Sequence, residues 1–188
     1  VGNTTGCAAQ IPATGAGTRF MWHPCRGSLR FGRVPTGQTN WDDANMDDFT
    51  FAGGNQVVAS GYGAFAYGDQ VTASSTVGVG FGSGITVSGT AGFSAGASNI
   101  CSGFACTAIG YTTKATGQGS TALGYRTYAI GDYTTALGYR AQTCSSSIST
   151  RSTRARSLAV AGGSNVACAT STSSTAQRTS CCPRSASA

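Results

Sequence analysis

The sequence is short of charge. Asp, Glu, Lys and Arg make up 10% of its 188 residues, with one Lys and no Glu, against about a quarter in ordinary domains. Gly, Ala, Ser and Thr dominate instead, and a chain of this composition does not fill a thick core. It suits a thin interior, in which two sheets approach closely over small side chains.

Long apolar runs are also absent, and the charge is unevenly placed. No stretch of eighteen apolar residues occurs, so we expect no transmembrane segment in this chain. The net charge is +6, and the tail, residues 142–188, holds five Arg with no acid and no aromatic residue. The tail is basic but has no aromatic residues, and the sequence has no G-x-x-x-x-G-K motif. Both observations argue against nucleic acid as a partner.

A glycine repeat organises the middle of the chain. Seven glycines recur every fourteen residues: Gly54, Gly68, Gly82, Gly96, Gly110, Gly124 and Gly138. So short a fixed period predicts stacked coils. We interpret these residues, with a second set at Gly61, Gly89, Gly103, Gly117 and Gly131, as turn glycines that supply tight bends, often with φ above zero.

Positions that recur every fourteen residues form columns along the repeat, and the columns beside the glycines predict which side chains lie inside. The residues two and four positions earlier are small in every coil, from Thr50 and Ala52 to Thr134 and Ala136. Residues two apart share one face of a strand. We therefore predict an all-β parallel roll or solenoid of about seven coils, each with two short strands and two turns, and an N-terminal β cap.

Larger apolar side chains fill the alternate columns of the first strand and do not fit the narrow interior. They are Phe51, Phe65, Tyr67, Phe81, Phe93, Ile109, Leu123 and Leu137. An exposed apolar stripe of this size indicates an interface. We infer that the roll is an oligomer subunit whose first sheets face one another.

The second strand of each coil carries mostly polar residues beside a small central one. We expect its outward side chains to form a repetitive binding surface, first of all at Thr72, Thr86, Lys114, Thr116 and Tyr128.

The repeat resembles a known family. Ser120-Thr121-Ala122-Leu123-Gly124-Tyr125 and Thr134-Thr135-Ala136-Leu137-Gly138-Tyr139 resemble the S-x-A-x-G head repeats of YadA-like trimeric autotransporter adhesins, and Cys106–Tyr111 is a third copy. The resemblance covers about residues 49–141. It implies a left-handed parallel β-roll, a homotrimer, display at a bacterial cell surface, and binding to extracellular matrix or cell-surface ligands.

Four segments follow from these patterns. Residues 1–14 form an N-terminal lead, 15–48 hold cap strands, 49–141 form the β-roll, and 142–188 are a low-complexity basic tail that we expect to be disordered. Residues 17–22 and 29–34 are the predicted cap strands, because a solenoid usually covers its open sheet edge. A separate ligand module in 15–48 is the alternative.

Catalytic and metal chemistry find little support. Gly92–Gly96 reads G-x-S-x-G, but Ser94 falls in a small interior column, and the lone histidine is His23. His23 and Cys25 lack further zinc ligands at a workable spacing. Asp42, Asp43, Asp47 and Asp48 match no calcium loop, and we interpret them as a polar turn. We expect no enzyme, cofactor or metal site.

Two cysteines of one coil fall in inward columns on opposite strands. Cys101 and Cys106 flank the corner at Gly103, where their Cα atoms can approach the 4.4–6.8 Å that a disulfide needs. Two small buried thiols are the alternative. The pairing of the other six cysteines does not follow from the sequence.

The leading functional hypothesis is therefore a surface-displayed, non-enzymatic adhesin head that binds multivalently. A purely structural fibre, spike or matrix component is the alternative. An ice-binding solenoid is weaker, because the column of Thr107, Thr121 and Thr135 has no second Thr column beside it.

Overall fold

A computed structural model describes residues 13–143 and the backbone of Leu158–Ala161. Residues 1–12 of the predicted lead, and most of the predicted tail, lie outside this part. Within it the chain is almost entirely β-structure, apart from one 3₁₀ turn at Asp43–Asn45. No helix in the described residues is long and apolar enough to cross a bilayer.

Seven coils of fourteen residues form a parallel β-solenoid, as the sequence predicted. The first strand of each coil has five residues: β3 (Phe51–Asn55), β5 (Phe65–Asp69), β7 (Val79–Ser83), β9 (Phe93–Ala97), β11 (Thr107–Tyr111), β13 (Thr121–Tyr125) and β15 (Thr135–Tyr139). The second has two: β4 (Val58–Ala59), β6 (Thr72–Ala73), β8 (Thr86–Val87), β10 (Ile100–Cys101), β12 (Lys114–Ala115), β14 (Tyr128–Ala129) and β16 (Gln142–Thr143).

The strands stack into two sheets, and the longer one extends past the coils at both ends. Strand β1 (Gly17–His23) pairs antiparallel with β2 (Ser28–Val34), and β2 adds parallel to β3, with Gly32 opposite Gly54. At the other end β17 (Leu158–Ala161), within the segment expected to be disordered, pairs parallel with β15. Counted over the described residues, the result is one ten-stranded and one seven-stranded sheet. Strand β16, the second strand of the last coil, reaches Thr143.

The interior is narrow, as the small residues in the inward columns predicted. The residues two and four positions before each glycine are buried in all seven coils, and so is the central column of the second strand. A further buried column was not predicted: it lies at the corner before the second strand and contains Val57, Val71, Ile85, Asn99, Thr113, Thr127 and Ala141. Asn99 fits there because its side chain bonds Ala95 O, Gly110 O and Thr113 N at 2.8–3.0 Å.

The interpretation of the fourteen-residue glycine column as turn glycines was wrong. Each of these glycines is the fourth residue of a first strand, with φ between 104° and 136°. A Cβ atom on Gly110, for example, would overlap the carbonyl oxygen of Gly124 in the next coil. Glycine is required because adjacent backbones meet here, inside the sheet.

The tight corners instead use residues with side chains. Two positions per coil have left-handed φ near 55°, and most are not glycine, for example Gln56, Gln70, Arg126 and Arg140. The corner glycines at the Gly61 position do not have positive φ. A Cβ on Gly61 would overlap Ser75 O in the following coil. Ser75 itself occupies this position in the second coil, where its hydroxyl donates to Gly89 O at 2.7 Å.

A buried arginine closes the N-terminal end of the roll. Arg30 of β2 occupies the inward position next to Ala52, where its side chain is fully buried. Its guanidinium donates to the carbonyl oxygens of Leu29, Thr50 and Ala59 at 3.0–3.1 Å and to the Thr50 hydroxyl at 2.7 Å. Burial lowers the pKa of Arg30 from 12.5 to about 10.

An indole ring covers the second sheet at the same end. Trp41 is fully buried, and its Nε1 donates to Val57 O at 2.9 Å, just before β4 begins. The Arg19 guanidinium lies 5.5 Å from the Trp41 ring centroid. Residues 15–48, which we call the cap, thus contribute two buried side chains that donate to carbonyl groups at the N-terminal end of the solenoid.

Replacing Gly110 with Ala should destabilise the fold by about 3 kcal/mol or more, because the new methyl group meets backbone that cannot move aside. The control is Gly63→Ala, at a left-handed position where other coils carry Val77 and Ala91. That change should cost about 1–2 kcal/mol, the usual cost of a residue with a side chain in this conformation. Chemical denaturation at equal protein concentration measures both, and equal losses would contradict the assignment.

Replacing Arg30 with Met should lower the free energy of unfolding by about 3 kcal/mol, because buried carbonyl groups lose a charged donor. Arg33→Met, at an exposed site of the same strand, should change it by less than about 0.5 kcal/mol. Folding lowers the pKa of Arg30 to about 10, so below that pH the side chain is charged in both the folded and the unfolded state and the cost of burying the charge is constant. Above about pH 10 the folded state loses the proton first, and stability rises because that cost is reduced. The difference between the variants should therefore be flat from about pH 6 to 9.

Candidate functional site

The outward side of the ten-stranded sheet is the largest candidate surface, and we call it the apolar face. In its N-terminal half the rings of successive coils touch. Phe51 and Phe65 stack with centroids 4.2 Å apart, Phe65 and Phe81 lie at 4.9 Å, and Phe81 and Phe93 at 6.3 Å. These rings, with Tyr67, Ile109, Leu123 and Leu137, remain partly or largely exposed in the single chain.

The cap extends the apolar face in a way that the sequence analysis missed. Strand registry places Phe20 opposite Phe31 and Trp22 opposite Leu29, and Phe31 contacts Phe51 with ring centroids 5.4 Å apart. Phe20 is 75% exposed and Trp22 is 51% exposed. The signal was available in the spacing, because residues two apart share one face of a strand and Phe20 and Trp22 are two apart.

The C-terminal half of the apolar face has different side chains at the same positions. Thr107, Thr121 and Thr135 replace the phenylalanines at the start of the strand. Tyrosines appear instead at the last position of the strand, at the edge of the apolar face next to the corner. There Tyr111, Tyr125 and Tyr139 stack with centroids 5.2 Å apart. This tyrosine ladder was not among the sites predicted from the sequence.

The outward side of the seven-stranded sheet carries the predicted binding residues. Thr86, Lys114 and Thr116 are exposed, while Thr72 and Tyr128 are half-buried. The strands place Thr72 beside Thr86 and Lys114 beside Tyr128, in two separate pairs. The Lys114 Nζ atom lies 5.8 Å from the Tyr128 ring centroid.

The residues that suggested catalysis have structural roles. Ser94 is buried, and its hydroxyl donates to Ala108 O at 3.0 Å. His23 is buried in the cap, where its Nδ1 accepts from Arg26 N at 3.3 Å. Neither side chain faces a partner suited to nucleophilic catalysis among the described residues.

The cap aspartates are also used locally. Asp42 accepts from Gly15 N at 2.7 Å, and Asp47 accepts from Asp48 N at 2.8 Å. Asp43 and Asp48 pair with Arg26 at 3.0 and 3.5 Å. In the described part of the chain no three His, Cys, Asp or Glu residues gather in a way that could hold a metal.

Cys101 and Cys106 form a disulfide with a Cα–Cα distance of 5.7 Å. Both residues are buried, and the bond joins β10 to the residue before β11 across one corner. Cys25 is disulfide-bonded as well. The remaining cysteines lie outside the described residues.

Comparison with known proteins matches two copies of the YadA head domain repeat at residues 107–127. These residues contain the first strands β11 and β13 and, between them, the second strand β12 with a corner on each side. No curated protein gives a significant match to the chain.

The disulfide should stabilise the roll modestly, because it closes a short loop. The double variant Cys101→Ala/Cys106→Ser carries the residues of the next coil, Ala115 and Ser120, in the same columns. We expect it to fold and to lose about 2 kcal/mol of unfolding free energy. Denaturant titration of both proteins without reductant checks this, and an unchanged midpoint would show that the bond adds no stability.

Proposed function

Because the chain carries a YadA-like head, we propose that it is the adhesive head of a homotrimeric fibre displayed at a bacterial cell surface. The β-solenoid and the match to head repeats support an adhesin-like protein of the extracellular space. The buried disulfide agrees with an oxidising compartment. In this proposal the protein presents a surface and performs no chemistry.

The observation that carries the assembly of several chains is the apolar face, and the number three follows the likeness to YadA head repeats. The single chain leaves Phe20, Trp22, Phe81 and Phe93 exposed on one side of one sheet. Each such side chain contributes about 1.5–3 kcal/mol when it is buried, and a monomer rarely exposes so large a contiguous apolar area. Inside the coils the buried positions hold side chains no larger than Ile85, Asn99 and the valines, which leaves no room for these rings, so sister chains are the natural cover.

The side chains on the other surfaces then remain free to bind. The seven-stranded sheet points away from the apolar face and repeats its outward residues about every 4.8 Å along the roll. Three copies of one array raise avidity through multiple weak contacts. Binding to extracellular matrix or cell-surface ligands follows from this repetition, with no single dominant residue.

Phe81→Asp should dissociate the trimer, because it places a carboxylate in the centre of the proposed apolar interface. Thr86→Asp adds the same charge on the opposite sheet, where the site is exposed. Sedimentation analysis of the full chain should give a trimer for the parent and for Thr86→Asp, and smaller species for Phe81→Asp. A parent protein that sediments as a folded monomer would contradict the proposed assembly.

Adhesion itself is tested with the trimeric full chain on immobilised collagen, fibronectin and laminin and on cultured cells. We expect saturable binding by the parent protein. Binding should weaken strongly in Phe81→Asp, because a dissociated chain presents one array of binding residues and the trimer presents three. A folded trimer that binds none of these surfaces would contradict adhesion and would favour the structural fibre.

A further inference from the structure

A basic and aromatic corner lies where the two sheets meet in the last three coils. It consists of Lys114, Tyr125, Arg126, Tyr128, Tyr139 and Arg140, which we call the basic corner. Tyr125 and Tyr139 end their first strands, Arg126 and Arg140 follow at the left-handed corner, and Lys114 and Tyr128 begin their second strands. The parallel registry stacks these positions coil upon coil.

Aromatic rings organise the cations of the basic corner. The Arg126 guanidinium lies 5.5 Å from the Tyr125 centroid, that of Arg140 lies 5.9 Å from Tyr139, and Lys114 lies over Tyr128. Cation–π contacts of this kind hold a charge in place while leaving its hydrogen-bond donors available. The ion pairs found among the described residues involve Arg26 alone, so these three cations face solvent without a carboxylate partner.

The surroundings contain almost no negative charge. No acid occurs between Asp69 and Asp132 in the sequence. Asp132 lies at the other corner of its coil, where its carboxylate accepts from Gln118 N at 2.8 Å. The basic corner therefore has a positive potential that no neighbouring group on the described surface cancels.

The repeat itself does not require these residues. In the first two coils the equivalent corner positions hold Asn55 and Gln56, then Asp69 and Gln70. Gln56 and Gln70 have the same left-handed φ as Arg126 and Arg140. The fold therefore does not need arginine at this position. What arginine adds is a positive charge, which favours a role in binding over a role in folding.

The geometry of the tyrosines favours a carbohydrate over a nucleic acid. Their rings are stacked 5.2 Å apart, at 12° and 7° between planes, so no gap remains for a base to enter between them. Stacked rings present their edges to solvent, and phenol hydroxyl groups at these edges can exchange hydrogen bonds with sugar hydroxyls. Guanidinium groups bind sulfate or carboxylate with two parallel hydrogen bonds.

We infer that the basic corner binds an anionic polysaccharide, a sulfated or uronate-bearing glycan that lies along the stacked coils. Arg126 and Arg140 contact successive anionic groups, Lys114 adds a third positive charge, and the tyrosine edges contact the sugars between them. This inference rests on the proposed surface-exposed adhesin and names a ligand class for it.

Binding of the full chain to immobilised heparin, with neutral dextran as the blank, tests the inference. Arg126→Gln/Arg140→Gln installs the residues that the first two coils use at this corner, and we expect its heparin affinity to fall at least tenfold. Arg126→Gln alone should lose at least threefold. Arg33→Gln removes one exposed positive charge from the cap and should lose less than twofold. Sedimentation of each variant verifies that the assembly is unchanged.

Three results would overturn the inference. The first is that the parent protein does not bind heparin, and the second is that Arg33→Gln loses as much affinity as Arg126→Gln. The third is that a single-stranded oligonucleotide binds as tightly as heparin at the same ionic strength, which would indicate a general polyanion site. If any of these results is found while the protein still binds matrix proteins, the glycan site is refuted and the adhesin proposal stands.

Discussion

The close approach of backbones at the glycine column sets the shape of the whole roll. Each glycine from Gly54 to Gly124 lies against the carbonyl oxygen of the next one, at a distance that admits no Cβ atom. The fourteen-residue period keeps this contact in register through every coil. Because the strands are short and the two sheets close over Ala, Ser and Gly, the interior has no room for the large side chains of the same strands.

Those side chains consequently lie outside, and they all lie on one side. The apolar face runs from the cap strands to the last coil, with aromatic rings in contact through its N-terminal half, and its character then changes. Phenylalanine stacks give way to Thr and Leu, while tyrosines move to the corner and meet Arg126 and Arg140. One regular backbone thus presents a surface suited to sister chains and, next to it, a charged corner suited to a different kind of partner.

The sequence predicts the parts of this fold that depend on the period. Coil number, the small inward columns and the outward apolar stripe all follow from side chains at fixed spacing. It does not predict features that depend on contacts across coils. The glycine column was assigned to turns, because a bend and a close backbone approach both select glycine. Arg30 was not expected inside, since only the structure shows that four acceptor contacts converge on it. Nor did column patterns reveal that Tyr and Arg meet at one corner.

The most direct test of the central claim is an experimental structure of the full chain at about 3 Å, a resolution that defines aromatic side chains. Our account predicts that Phe51, Phe65 and Phe81 pack against neighbouring subunits, while Ala52, Ala66 and Gly80 fill the interior of each roll. Rings that turn into the interior of a single subunit would contradict it, and so would rings left in contact with solvent in a folded monomer.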